Sequence, residues 1–275
     1  MKVFISVDME GISGLANWKE PREVMSKEME ADLLAAINGA LEAGADEILV
    51  ADSHSVGMNI SPEVLPDRVT LVRGFPRKYF MMEGLTSEFN VAFFIGYHAP
   101  AGYIRGQMDH TYSSYSLFEV KVNGEVFGEA ELNALYTGQL GVPVGLITGD
   151  KALFEFSHPK FPPTTKFVVT KEGVSRFSAK LYPLSKVRKK IKDAAYEIVR
   201  NVNSLEIFKR HTDNGKFAVE LTLSDTLKAD LIEIMPGFER VDGRRLMYIA
   251  STPAEVLRVV NAASIMGSYA RFLTS

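Results

Sequence analysis

The fold is decided by Lys2-Val3-Phe4-Ile5-Ser6-Val7-Asp8-Met9-Glu10-Gly11. Val3–Val7 is a short apolar run rich in β-branched residues, which suits a strand buried on both faces. It runs directly into Asp8 and Glu10 and a loop that holds Gly11 and Gly14. From about Pro21 to Ala43 an amphipathic stretch follows, with Leu33, Leu34, Ile37 and Leu41 at helical spacing, and Gly44 ends it. Further strands are expected at Ile48–Ala51, Val69–Val72 and Val91–Ile95, with a helix over Lys78–Gly84. Strands alternating with helices predict a mostly parallel, covered sheet.

After residue 115 the rhythm changes. Tyr115–Val122, Asn123-Gly124 and Glu125–Phe127 read as a hairpin, because Asn-Gly tolerates the positive φ angles of a tight turn. A helix from about Glu129 to Leu140 leads to a strand at Val144–Thr148. Past a loop with Pro159, Pro162 and Pro163, strands are expected at Lys166–Thr170, Phe217–Leu223 and Arg245–Ala250, and a helix at Leu184–Val202. Thr252-Pro253-Ala254-Glu255 is a capping box with proline at the first helical position. It opens a last helix, to about Phe272, that should bury Val256, Val259, Val260, Ala263 and Met266. The expected fold class is α/β. An N-terminal lobe, residues 1–155, would hold a mostly parallel central sheet with flanking helices, and residues 156–275 a smaller α/β second lobe.

Composition bounds the chemistry. The 275 residues, 46% of them apolar and 24% charged, are ordinary for a globular protein of 30.5 kDa. A net charge of −3 gives no global electrostatic case for a nucleic-acid partner or an acidic membrane surface. No apolar run reaches the roughly 18–20 residues that a bilayer-spanning helix needs. The first residues read as a strand and not a signal peptide, so a cytoplasmic protein is expected. There is no cysteine, which removes disulfides, thiolate zinc sites and cysteine nucleophiles. Any transition-metal site must be built from carboxylates and some of five histidines.

The chemistry gathers at strand ends. Val3–Val7 delivers Asp8 and Glu10, the strand ending near Ala51 delivers Asp52 and His54, and Val91–Ile95 delivers His98. In parallel α/β sheets the carboxyl edge is where ligands bind. Spacing of two in extended chain puts Asp8 with Glu10, and Asp52 with His54, on one face. Such a cluster suits Zn²⁺, Mn²⁺ or a similar ion, and its carboxylates suffice for two ions sharing a bridging oxygen. His110 sits in a loop between Gly106 and a run of hydroxyl residues, and Glu129 opens a helix, either as a capping acid or as a further ligand.

Ser6-Val7-Asp8-Met9-Glu10-Gly11, Asp52-Ser53-His54-Ser55, Gly96-Tyr97-His98-Ala99, His110 and Gly128-Glu129-x-x-Leu132-Asn133-Ala134 together resemble the D-aminopeptidase family of the DppA type, the zinc peptidases of family M55. The motifs stand in the family's order up to about residue 150, with Ile234-Met235-Pro236-Gly237 a fainter C-terminal echo. The resemblance implies an α/β fold and two zinc ions per subunit. Asp8 would bridge the ions, Glu10, His54, His98 and Glu129 would complete the metal ligands, and His110 would be the catalytic histidine, as nucleophile or base. It implies removal of N-terminal D-amino acids from short peptides of the D-Ala-D-Ala type. It also implies a homodecameric ring of two stacked pentamers, its active sites facing a channel whose walls the second lobe would help to form. Glu131 stands where the family motif leads us to expect a small residue, and so bears on substrate choice.

The residues fit such a mechanism: water between two cations loses a proton readily and can attack a polarised carbonyl, while a histidine carries the proton to the leaving amine. Asp52 would orient a ligand imidazole or a backbone amide. A metal-dependent amidohydrolase or phosphoesterase could use the same ligands, and a non-catalytic peptide-binding ring could keep the fold. Lys186–Lys192, with five basic residues in seven, reads as a solvated helix face. Gly11-Ile12-Ser13-Gly14 is not a dinucleotide fingerprint. His158 and His211 read as surface residues, and Trp18, which follows the Asp8/Glu10 loop, reads as packing, with shaping of the site entrance as the alternative.

Overall fold

The computed structural model describes residues 1–210, 212 and 214–273; the expectation for His211 lies outside the described residues. A seven-stranded sheet forms the larger layer, in the order β3-β2-β1-β4-β7-β8-β9. Its strands are β1 (Lys2–Val7), β2 (Glu47–Asp52), β3 (Val69–Val72), β4 (Val91–Tyr97), β7 (Val144–Asp150), β8 (Lys166–Ser175) and β9 (Ser178–Leu181). All neighbours are parallel except β8 with β9. The chain walks outward from β1 to β3, then returns to place β4 on the other side of β1. The gap between β1 and β4 is therefore a topological switch point, where connections leave in opposite directions and open a crevice at the strand ends.

Alternation along β1 fills both faces. Val3, Ile5 and Val7 face a core shared with α1 (Arg22–Glu42) and α4 (Leu184–Arg200), including Leu33, Ile37, Ile191 and Ile198. Phe4 faces the opposite core, with Phe94, Leu132, Val219 and Val256. That second core is closed by α2 (Glu129–Gln139), by α6 (Pro253–Tyr269) and by a five-stranded sheet of order β11-β12-β10-β5-β6. Its strands, β5 (Leu117–Val122), β6 (Glu125–Val126), β10 (Phe217–Leu223), β11 (Phe238–Arg240) and β12 (Arg245–Ala250), pair antiparallel throughout.

The chain is thus mixed α/β around a mostly parallel sheet, but the sheets do not follow the expected division at residue 155. That position falls between β7 and β8, which are paired neighbours, while β5 of the first stretch pairs with β10 of the second. Local pattern carries no information about which distant strand a hairpin joins. The helix expected at Lys78–Gly84 shrinks to a single 3₁₀ turn, Phe80–Met82. Its three residues are consecutive and all buried, which one helical face cannot satisfy. In α6, Thr252 caps Glu255 N at 3.1 Å as its sequence predicts, but Val259 and Met266 are only half-buried. Two short helices were not expected, α3 (Lys151–Ser157) and α5 (Thr226–Glu233), each capped by an aspartate, Asp150 and Asp225.

Candidate metal centre

The crevice at the β1/β4 switch point receives the strand-end side chains. Asp8 N donates to Ile95 O at 2.8 Å and Gly11 N to Gly96 O at 2.7 Å, so the Asp8–Gly11 turn is stitched onto β4. Both glycines are needed for that approach. A Cβ on Gly11 would stand 1.8 Å from Tyr97 O, and one on Gly96, whose φ is +75°, would stand 2.3 Å from Asp8 O.

Asp8 lies at the centre. Its Oδ1 is 3.5 Å from His54 Nδ1 and its Oδ2 is 3.5 Å from His98 Nε2, so its two oxygens face two different imidazoles. Glu10 Oε2 joins the first group, 3.1 Å from His54 Nδ1. Glu129 Oε1 joins the second, 3.4 Å from His98 Nε2 and 3.7 Å from His110 Nε2. The rings of His98 and His110 stack, 4.2 Å apart and inclined by 6°. Ligand atoms of Asp8, Glu10 and His98, and again those of His98, His110 and Glu129, come within 4.8 Å of one another. The five proposed ligands, Asp8, Glu10, His54, His98 and Glu129, therefore converge with His110.

Hydrogen bonds fix two of the rings. His98 Nδ1 lies 2.9 Å from Ala99 O, and His110 Nδ1 lies 3.0 Å from Met108 O. A carbonyl can only accept, so Nδ1 carries the proton in both rings and Nε2 is turned into the site. His54 differs in presenting Nδ1 to the acids.

The donor set fits a cation. Asp8, Glu10, His98 and Glu129 are each at most 3% exposed. Asp8 Oδ2 and His98 Nε2 are buried with no hydrogen-bond partner among the described residues, an arrangement that costs free energy unless something binds there. Burial, with Glu10 beside it, pushes the Asp8 carboxyl up. Burial alone would lower His54 and His98, but Glu10 and Asp8 outweigh it at His54, and Glu129 at His98, so both rings are held above the usual imidazole range. Three buried acids thus call for positive charge at their centre. At His110, burial and the neighbouring His98 win, and its ring is held below the usual range.

Surrounding groups hold the acids in place. Trp18 Nε1 donates to Glu10 Oε1 at 2.6 Å, and Tyr112 N donates to Glu129 Oε1 at 2.7 Å. Beneath them Ser6 Oγ bonds Ser53 Oγ and Tyr97 Oη, each at 2.7 Å, and Asn133 Nδ2 donates to Tyr97 Oη at 2.9 Å. These bonds tie β1, β2, β4 and α2 together under the site. Asp52 does not touch His54. It accepts from Asn59 Nδ2 at 2.8 Å and Ile60 N at 2.9 Å, and so shapes the loop that carries His54.

The site opens into a cavity of about 620 Å³. Trp18 packs against Phe177 at 5.4 Å but also stands half-buried on the cavity wall, edge-on to His110 at 5.7 Å. Glu131 does not line the cavity. Its Oε2 accepts from Gly128 N at 2.8 Å, and its charge faces Lys160, so it caps α2 on the side away from the site. Phe80, Tyr112 and Arg271 line the cavity without having been singled out, because only the tertiary fold brings them there.

Comparison with known proteins is consistent along the chain. A D-aminopeptidase model of the peptidase M55 family matches residues 1–262. A D-aminopeptidase of Bacillus subtilis (strain 168) is 30% identical over 249 residues, covering 87% of each chain. Among solved structures, the Zn-dependent D-aminopeptidase DppA from Bacillus subtilis, described as a self-compartmentalizing protease, superposes with a TM-score of 0.88 at 26% identity over 98% of both chains.

Proposed function

The chain belongs to the peptidase M55 family of D-aminopeptidases, and on that premise we propose that it is a two-zinc peptide hydrolase that removes N-terminal D-amino acids from short peptides. One observation carries the two-ion reading: the two oxygens of Asp8 face different histidines. Asp8 would serve both ions, with Glu10 and His54 completing the residues that would hold one, and His98 and Glu129 those that would hold the other. Bound zinc supplies Lewis acidity, polarising a peptide carbonyl and making water acidic enough to act as a nucleophile near neutral pH.

The protein's own groups do the rest. His110 is neutral near pH 7, with its proton on Nδ1 and Nε2 facing the site, so Nε2 takes up a proton and delivers it to the leaving amine. Trp18 holds Glu10 by Oε1, which leaves Oε2 facing His54, and Tyr112 N holds Glu129 by Oε1, the same oxygen that faces His98 and His110. Trp18, Phe80 and Tyr112 form an aromatic wall of the cavity, with Trp18 edge-on to His110. His110 Nε2 lies close enough to Glu129 to favour a second reading, in which His110 is itself a ligand.

The assembly belongs to the same proposal: a decameric ring of two stacked pentamers, in a cytoplasmic setting that the cysteine-free composition permits. Support for it is the superposition on a protein described as self-compartmentalizing. The substrate assignment is checked by a panel of L- and D-dipeptides and phosphomonoesters. Release of D-alanine from D-Ala-D-Ala, with little turnover of the L,L isomer, is expected. Phosphate release with no peptide turnover would place the chain with the phosphoesterases.

A further inference from the structure

The lining of the main cavity holds three acids, Asp8, Glu10 and Glu129, and one permanent cation, Arg271. Arg271 lies in the turn Ala270–Phe272 that follows α6. A smaller cavity of about 280 Å³ adjoins the first and shares Arg271, Phe80 and Tyr112 with it, yet none of the five ligand positions lines it. Arg271 therefore stands on the flank turned away from the acids. The stretch from His110 to Tyr115 forms the wall between the two ends, and Ser113 Oγ bonds Ser268 Oγ at 2.8 Å to fasten it to α6.

The guanidinium is held but not used up. Arg271 Nε donates to Ser268 O at 3.0 Å, and its central carbon lies 5.4 Å from the Tyr115 ring and 6.0 Å from the Phe272 ring. Its Nη nitrogens have neither an acceptor nor an ion-pair partner among the described residues. A planar fork of donors with a free edge is the group best matched to a carboxylate. A short peptide is a zwitterion, with an ammonium at one end and a carboxylate at the other, and the cavity carries the complementary charges.

We infer that Arg271 binds the free C-terminal carboxylate of the peptide substrate and sets the length of peptide the site accepts. This rests on the aminopeptidase reading above. Each added residue lengthens an extended chain by roughly 3.3–3.6 Å, so a fixed guanidinium favours one distance between the cleaved bond and the C-terminus. Arg271 is a specificity residue for binding and takes no part in the bond cleavage.

The test compares D-Ala-D-Ala with its C-terminal amide on the zinc-loaded enzyme and its Arg271→Gln variant. We expect the enzyme to favour the free acid by about tenfold in kcat/KM, mostly through KM, as befits a charge-assisted hydrogen bond at a partly exposed site. Arg271→Gln should remove that preference by lowering only the free-acid value, and Arg271→Lys should keep part of it. An equal loss on both substrates, or an undiminished preference in Arg271→Gln, would overturn the assignment. Turnover of the amide reports the aminopeptidase activity separately. If neither peptide is cleaved, the aminopeptidase reading fails and calorimetric binding decides Arg271. Tighter binding of the acid that disappears in Arg271→Gln sustains the assignment, and equal binding of acid and amide overturns it.

Discussion

At the scale of single residues, the role of His110 is the sharpest question. Its Nδ1–H is tied to Met108 O while Glu129 Oε1 already serves His98, so removal of the His110 ring leaves both proposed ligand sets intact. His110→Ala is expected to keep its zinc, read by elemental analysis, and to lose about 10²–10⁴-fold in kcat, the usual range for a missing general acid–base group. Loss of one equivalent of zinc would instead make His110 a ligand. Asp8, Glu10, His54 and His98, four of the proposed ligands, were legible in the sequence because strand ends announce themselves: an apolar run stops and polar side chains follow. Glu129, at a helix start, and His110, in a loop, took definite roles only through the family resemblance. Trp18, Phe80 and Arg271 carry no such mark. Trp18 is eight residues beyond Glu10 in an irregular loop, and Arg271 reaches the cavity only because α6 packs beside the Ser113 turn. Glu131 was misread for the opposite reason, since two residues, about half a helical turn, separate it from Glu129 and rotate it away from the cavity.

At the scale of elements, β8 shows what period-two patterns cannot reveal. The expected strand ends at Thr170, one residue short of Lys171. In the fold Lys171 is fully buried and its Nζ donates to Leu15 O at 2.6 Å, fastening the loop that carries Glu10 and Trp18 to the sheet. Burial lowers the ammonium from 10.5 to about 8, against the pull of Asp150 and Glu10. Between those two values the unfolded chain keeps a proton that the folded chain has released, so stability at this position rises as pH rises from about 8 toward 10.5. Lys171→Met removes that dependence. Denaturant unfolding at pH 7 and pH 9.5 should show wild type gaining on the variant by on the order of 2 kcal/mol. A stability difference that does not change with pH would show that Lys171 is not titrating in the fold. The helices α3 and α5 escaped notice because each is a short piece whose only signal is an aspartate cap.

At the scale of the whole molecule, two sheets share one core, and the strands of the smaller sheet come from both sides of residue 155. The mostly parallel order of the large sheet was readable from strand–helix alternation. The interleaving was not, because the Asn123-Gly124 turn specifies a hairpin but not its partner. This arrangement lets α2 and the second sheet cover one face of the large sheet while the switch point between β1 and β4 stays open at its carboxyl edge. Ring assembly is tested by sedimentation, where a single species of ten subunits is expected and a monomer would contradict it.

The central claim is a two-ion centre built around Asp8. Zinc counted per chain in the purified, zinc-loaded protein tests it most directly. Two equivalents in the wild type, falling to one or fewer in Asp8→Ala, are predicted. A wild type that never exceeds one equivalent would contradict the bridging role drawn from the two oxygens of Asp8.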